Sequence, residues 1–78
     1  MLARGFYRHY KGGIYRVLGM ARHHETGEPV VIYFSMERGS INVRELTNWQ
    51  AEPEPGVQRF AFIQNGQQAD LLEPLLTK

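Results

Sequence analysis

The fold prediction depends on the stretch ARHHETGEPVVIY, residues 21–33, because it could form either of two incompatible structures, a helix or a β-hairpin loop. His24 and Glu25, with a second glutamate three residues further on, are similar to the His-Glu-x-x-His motif of zinc enzymes. That motif requires a helix, which places positions i and i+4 on one face. Gly27 and Pro29 interrupt such a helix, and proline is tolerated at the start of a strand. The stretch therefore predicts the loop of a β-hairpin.

The sequence upstream of this loop predicts a second hairpin. Two runs rich in aromatic and β-branched residues flank a glycine pair: GFYRHYK (residues 5–11) and IYRVLGMAR (residues 14–22). Gly12-Gly13 predicts a two-residue turn, because a type I′ turn needs positive φ at both central positions. A turn of that length places Tyr10 opposite Tyr15.

The sequence downstream predicts three more strands, separated by turns. They are VVIYFSM (residues 30–36), INVREL (residues 41–46) and QRFAFI (residues 58–63). The first is apolar on both faces, so both faces are expected to be at least partly buried. In the second, alternation predicts that Ile41 and Val43 point inward. In the third, Phe60 and Phe62 share one side. Trp49 is expected in a single 3₁₀ turn that fills one end of a barrel.

Five short strands predict an all-β fold. The chain length and strand count favour a small five-stranded SH3-like barrel with a short C-terminal tail or helix, and a five-stranded OB-like barrel is the alternative. Residues 1–66 form the predicted barrel domain. Residues 67–78 contain four leucines, and these are expected to pack on the barrel or on a partner subunit.

Composition limits the classes of function. The chain has no cysteine, which excludes disulfides, zinc-thiolate sites and a cysteine nucleophile. It shows neither a signal peptide nor a run of about 20 apolar residues, so a cytoplasmic protein without a membrane partner is expected. Residues 1–24 carry five Lys and Arg and no acid, whereas residues 25–78 carry four against eight acids. This asymmetry indicates either an anionic partner or two halves of one domain with complementary charge.

The stretch GFYRHYKGGIYRVLGMARHHETGEPVVIY, residues 5–33, resembles a small bacterial family, domain-of-unknown-function family 1653. It is similar to the family pattern G-x-Y-R-H-Y-K-G-x-x-Y-x-V-x-G-x-A-x-H-x-E-T-x-E-x-x-V-x-Y at every fixed position. The fourth-strand segment departs from the family, which tends to carry a tryptophan and an arginine-proline where this chain has Asn42 and Arg44-Glu45. The resemblance implies a small β-barrel with no settled activity. It also implies that the Tyr-Arg-His-Tyr-Lys and His-x-Glu-Thr-x-Glu segments share one surface.

These two segments carry most of the candidate site. In the first, aromatic rings alternate with cations, a pattern typical of surfaces that bind single-stranded nucleic acids, although the rings could equally form the core. In the second, the polar side chains could form a pocket or simply organise the loop. The candidate ligand-binding residues are Tyr7, Arg8, His9, Tyr10, Lys11, Tyr15, His23, Glu25, Thr26, Glu28 and Tyr33.

The sequence favours a non-catalytic binding module for RNA or a nucleotide. One alternative is a protein–protein interaction or homodimerisation module, which would use the leucine-rich tail or the apolar third strand. A second alternative is a small-substrate enzyme with His23, Glu25 and Glu28 as acid–base groups. No cofactor is expected, because phosphate-loop and dinucleotide fingerprints are missing from the sequence. A metal held by His9 and His23 from neighbouring strands is a minor alternative.

Overall fold

A five-stranded antiparallel sheet with one short helix forms the part of the chain that the computed structural model describes, residues 2–65. The elements are β1 (Gly5–His9), β2 (Ile14–Arg22), β3 (Pro29–Ser35), β4 (Ile41–Glu45), α1 (Leu46–Gln50) and β5 (Phe60–Asn65). The predicted C-terminal tail, residues 67–78, and the division of the chain at residue 66 lie outside the described residues.

The strand order is β4-β3-β2-β1-β5, which confirms the all-β class but not the SH3-like barrel. Consecutive strands β1 to β4 form a meander, and β5 pairs with β1. Within residues 2–65, no backbone pairing joins β4 to β5, so the sheet is open. Side-chain packing links the two ends instead, because Arg44 of β4 and Trp49 of α1, which follows β4, both contact Phe60 of β5.

The hairpin of β2 and β3 confirms the prediction for residues 21–33. Arg22 is aligned with Pro29, and the loop between them lacks helix. Gly27 adopts φ 72°, the left-handed conformation that glycine tolerates without a steric penalty. Its N–H donates to the carbonyl of His23 at 2.9 Å. The helical geometry that a His-Glu-x-x-His zinc site needs does not form.

The hairpin of β1 and β2 exists, but its predicted register was wrong by three residues. Tyr7, rather than Tyr10, is aligned with Tyr15. Gly12 and Gly13 do adopt positive φ, at 105° and 92°. The turn nevertheless spans four residues, because the N–H of His9 donates to the carbonyl of Gly13 at 3.1 Å. A shift by an odd number exchanges the two faces of a strand. Tyr7 and His9 therefore lie on the same face as Tyr15.

The face of the sheet covered by α1, here called the inner face, carries the core. Its buried cluster consists of Tyr7, Val17, Val31, Tyr33, Trp49 and Phe60. The opposite face is called the outer face. Phe60 and Phe62 share the inner face as predicted, since they are aligned with His9 and Tyr7. Both faces of β3 are at least partly buried, also as predicted.

The predicted orientation of β4 was wrong. Ile41 and Val43 are 67% and 63% exposed, while Asn42 and Arg44 are half-buried. β4 is an edge strand, and α1 follows it directly. The long side chain of Arg44 reaches the rings of Tyr33 and Phe60 on the inner face. Its aliphatic stem and planar guanidinium pack there as an apolar side chain would. α1 is a short α-helix rather than a 3₁₀ turn, and it buries Trp49.

Candidate functional site

Seven aromatic rings pack against one another along the inner face. We call them the aromatic cluster: Tyr7, His9, Tyr15, Tyr33, Trp49, Phe60 and Phe62. At its centre, Trp49 stacks on Phe60 with a centroid distance of 3.6 Å and an interplanar angle of 5°. Tyr7 and Tyr33 meet Trp49 edge-on, at 5.3 and 5.1 Å. Edge-to-face contacts of this kind add about 0.5–1.5 kcal/mol each to the burial of the rings.

Arg44 lies over this cluster from β4. Its guanidinium carbon is 5.3 Å from the centre of the Phe60 ring and 6.0 Å from that of Tyr33. Its Nε donates to the hydroxyl of Tyr33 at 3.3 Å, and its Nη1 donates to Oδ1 of Asn48 at 2.6 Å. These contacts fix one positive charge beside the exposed edge of the aromatic cluster.

His9 is half-buried at the end of the aromatic cluster. Its ring lies 4.9 Å from that of Phe60 and 4.8 Å from that of Tyr10. Burial lowers the pKa of the imidazole below its ordinary value of 6.5. Positive charges nearby lower this pKa further, and they belong to Arg44, Arg59 and Lys11. The positive charges that lower the pKa of His9 also favour the presence of an anion beside its ring.

The three cations come from separate segments of the chain, and we call them the cationic rim: Lys11, Arg44 and Arg59. Lys11 follows β1, and its ammonium lies 5.7 Å from the centre of the Tyr10 ring. Arg59 directly precedes β5 and is half-buried. Its Nε is shielded from solvent and has no hydrogen-bond partner among residues 2–65. Leaving such a donor unpaired costs roughly 1–3 kcal/mol, so an added acceptor would be favoured here.

The first candidate segment is divided between the two faces of the sheet. Lys11 belongs to the cationic rim, and the rings of Tyr10 and Tyr15 contact the ring of His9. Tyr7 is buried, its hydroxyl donates to the carbonyl of Ala3 at 2.6 Å, and burial raises its pKa. Arg8 is exposed and, by strand alternation, belongs to the outer face.

The second candidate segment, residues 23–28, lies far from Lys11 and the first candidate segment. It follows the last residue of β2, whereas Lys11 precedes the first, and the nine residues of β2 separate them by about 26 Å. The structure therefore does not bring the two segments into one surface. Nδ1 of His23 accepts the N–H of Glu25 at 3.1 Å, and Oγ1 of Thr26 accepts the N–H of Glu28 at 3.2 Å. These bonds organise the loop.

No group of three or more His, Cys, Asp or Glu side chains within residues 2–65 is arranged to hold a metal ion. The same residues include no helix long and apolar enough to cross a membrane. A cleft of about 290 Å³ lies on the inner face beside α1. It is lined by Leu2, Tyr7, Trp49, Gln50, Gln58 and Phe60.

Sequence reasoning missed Arg44, Arg59, Trp49 and Phe60 as parts of the site. The alternation of β4 was assigned to the wrong face, so Arg44 was placed in solvent. Phe60 was predicted to share one side of its strand with Phe62, but it was not assigned to the site. The signal that could have found Arg59 is its position directly before the alternating aromatic run of β5.

These features define a class: a small all-β domain with one open antiparallel sheet, an aromatic inner face and a rim of cations. The chain belongs to the family described as Protein of unknown function (DUF1653), whose model matches residues 5–62. It is also similar to the crystal structure of a protein of that family from Bordetella bronchiseptica. The two chains are 36% identical, with a TM-score of 0.71, over 82% of this chain and 90% of the other. A comparison with curated proteins gave no match.

Proposed function

We propose that this protein is a non-catalytic binding module that holds single-stranded RNA or a nucleotide at the cationic rim. The observation that carries the proposal is that all three cations adjoin rings that contact His9. Lys11 lies over Tyr10, Arg44 lies over Phe60, and Arg59 directly precedes Phe60. Phosphate groups are the anions that arginine and lysine bind most readily, arginine through two parallel hydrogen bonds. The unpaired Nε of Arg59 supports the proposal, because a phosphate oxygen would satisfy it once the side chain turns toward the rim.

Exposed aromatic rings beside the rim suit the bases of such a partner. Tyr10 is exposed, and it lies between the ring of His9 and the ammonium of Lys11. Stacking of a base on an aromatic side chain contributes about 1–3 kcal/mol and tolerates any base. The proposed module would therefore bind single strands with little sequence preference, through charge and stacking together.

The proposal does not use the loop of residues 23–28 as a catalytic centre. His23, Glu25 and Glu28 are exposed, and their backbone and side-chain bonds organise the loop. They lie at the other end of β2 from His9 and Lys11. A cytoplasmic location, expected from the cysteine-free sequence, is part of the proposal, since RNA and nucleotides are abundant there.

The test is a fluorescence-anisotropy titration of a labelled RNA single strand with the full chain at about 50 mM and about 200 mM salt. Three phosphate contacts on a single strand give a slope of log affinity against log salt of about −2, so affinity should fall about 20-fold. Failure to bind at the lower salt concentration would refute the proposal.

Two variants that each remove one positive charge, one at the rim and one on the outer face, locate the site. Lys11→Gln removes one contact, so the salt-dependent loss should fall from about 20-fold to about 7-fold. Arg8→Gln is the matched control, because Arg8 is an exposed cation on the outer face. Tyr10→Ala should weaken binding about 5-fold or more without altering the salt slope. Equal effects of Lys11→Gln and Arg8→Gln would show that only net charge matters, which contradicts a site at the rim.

A further inference from the structure

The free edge of β4 presents backbone groups that can pair with another strand. β4 lies at one end of the sheet, and among the strands of residues 2–65 it pairs only with β3. The N–H of Ser35 in β3 donates to the carbonyl of Ser40 at 2.9 Å, in register with the rest of the pairing between β3 and β4. The backbone groups of successive residues point alternately to the two sides of an antiparallel strand. The N–H and C=O groups of Ile41 and Val43 therefore point away from β3, toward the free edge.

This edge lacks most of the features that prevent strands from pairing. Edge strands are usually protected by lysine or proline, by a bulge or by charged side chains. β4 contains neither lysine nor proline, and its register with β3 is continuous. Arg44 lies over the ring of Phe60 and donates to Asn48, so its charge lies over the inner face rather than at the edge. On the outer face, Ile41 and Val43 are the most exposed large apolar side chains in the described part of the chain.

We infer that β4 pairs with β4 of a second copy of this chain, in an antiparallel register centred on Asn42. An exposed β-branched apolar residue lies on each side of Asn42, so the strand is symmetric in character about this residue. In this register Ile41 of each copy is aligned with Val43 of the other, and each such pair exchanges both of its backbone hydrogen bonds. Asn42 is aligned with Asn42 of the other copy. The two inner faces lie on the same side of one continuous sheet.

The charges at the ends of β4 support a second copy as the partner. In the same register Glu45 of one copy is aligned with Gly39 of the other, directly beside Arg38. Arg38 and Glu45 are both exposed, and the two-fold symmetry repeats this pair of opposite charges at each end of the paired strands. A register centred on Val43 would instead align Ile41 with Glu45, which sets a charge against an apolar side chain. Charge therefore favours the register centred on Asn42.

Sedimentation velocity of the full chain tests the dimer, and two lysine substitutions locate its interface. A single pair of short strands makes a small interface, so the dimer is expected at protein concentrations of about 100 µM. In Val43→Lys both apolar pairs are lost by symmetry, and the affinity of the dimer should fall about 10-fold or more. Ile63→Lys is the matched control, because Ile63 is an exposed apolar residue of β5, the other edge strand, and this variant should change the affinity less than about 2-fold.

Circular dichroism checks that both lysine variants remain folded. A chain that stays monomeric at about 500 µM would overturn the inference, because even a small interface should form there. Equal effects of the two substitutions, including no effect of either, would overturn it as well. Species larger than a dimer would show open-ended pairing instead of a closed two-fold contact, with the same consequence.

Charge reversal tests the contact between Arg38 and Glu45. Arg38→Glu and Glu45→Arg should each weaken the dimer about 3-fold or more, because each places like charges side by side at both ends of the strands. The two substitutions change the net charge in opposite directions, so net charge alone cannot explain a loss in both. Combined in one chain, they should restore the affinity of the unaltered protein. A double variant as weak as the single variants would overturn the proposed pairing.

A single engineered cysteine tests the register. The chain contains no cysteine, so a disulfide of Asn42→Cys can form only between two copies. Asn42 is aligned with itself in a pair without hydrogen bonds, where the Cα atoms lie about 4.5 Å apart, within the range that a disulfide spans. In Val43→Cys the two sulfurs would lie on diagonal neighbours about 7–8 Å apart, so Asn42→Cys should crosslink about 10-fold faster under mild oxidation. Equal rates, or a faster reaction of Val43→Cys, would overturn the register centred on Asn42.

Discussion

Replacement of Trp49 by alanine should strongly destabilise the protein, because this side chain connects the two ends of the open sheet. Trp49 is 2% exposed, and it stacks on Phe60 while it meets Tyr7 and Tyr33 edge-on. Truncation of a buried tryptophan to alanine costs about 3–5 kcal/mol. A domain of 78 residues has a total free energy of unfolding of about 4–12 kcal/mol. The substitution therefore removes between a quarter and all of the stability.

The measurement is urea unfolding followed by circular dichroism, since tryptophan fluorescence is lost with the residue. With a urea dependence of about 1 kcal/mol per molar, the midpoint should fall by about 3–5 M. Trp49→Phe, which keeps a ring against Phe60, should lose less than half as much. Gln50→Ala is the matched control, because Gln50 is exposed on the same short helix, and it should shift the midpoint by less than about 0.5 M. A shift below about 1 M for Trp49→Ala would refute the reasoning that side-chain packing closes the sheet.

Three further predictions test separate parts of the structure. By NMR titration, the pKa of His9 should lie below 6.5 and rise in Arg59→Gln, because burial and then neighbouring positive charges lower it. Since the unfolded chain binds that proton more readily, stability should decline as the pH falls below about 6.5 and level off below the folded pKa. Gly27→Ala, at φ 72°, should lower the free energy of unfolding by about 1–2 kcal/mol, whereas Gly19→Ala, with open space around it, should not. Tyr7→Phe should cost about 1 kcal/mol in urea unfolding through its lost hydrogen bond; an unchanged midpoint would contradict that role.

The strands could be predicted from the sequence because local chemistry fixes them. Gly27 and Pro29 determine the loop between β2 and β3, and the paired phenylalanines of β5 determine which of its sides is buried. The register of β1 against β2 could not be predicted in this way. Both faces of these strands carry rings and cations, so either pairing buries comparable apolar surface, and only the length of the turn at Gly12 decides.

The candidate site was predicted only in part, for a physical reason. His9 and Lys11 lie close to the turn that the sequence reveals, so they could be identified. Arg44 and Arg59 join them through pairings that are distant in sequence, β4 with β3 and β5 with β1. An arginine that packs its planar head on aromatic rings also contradicts the rule that charged residues face solvent. Hydrophobic alternation alone therefore assigned β4 to the wrong face.

The pairing of β5 with β1 has a consequence for how the protein matures during synthesis. Strands β1 to β4 are neighbours in sequence and can assemble as soon as each leaves the ribosome. Arg59 and Phe60 are synthesised after all four of these strands, yet they pack against His9 of β1, the first strand. A nascent chain stopped before residue 59 would thus lack both the stacking of Trp49 on Phe60 and the complete cationic rim. We expect the cationic rim to form in one late step, together with the last cooperative gain in stability.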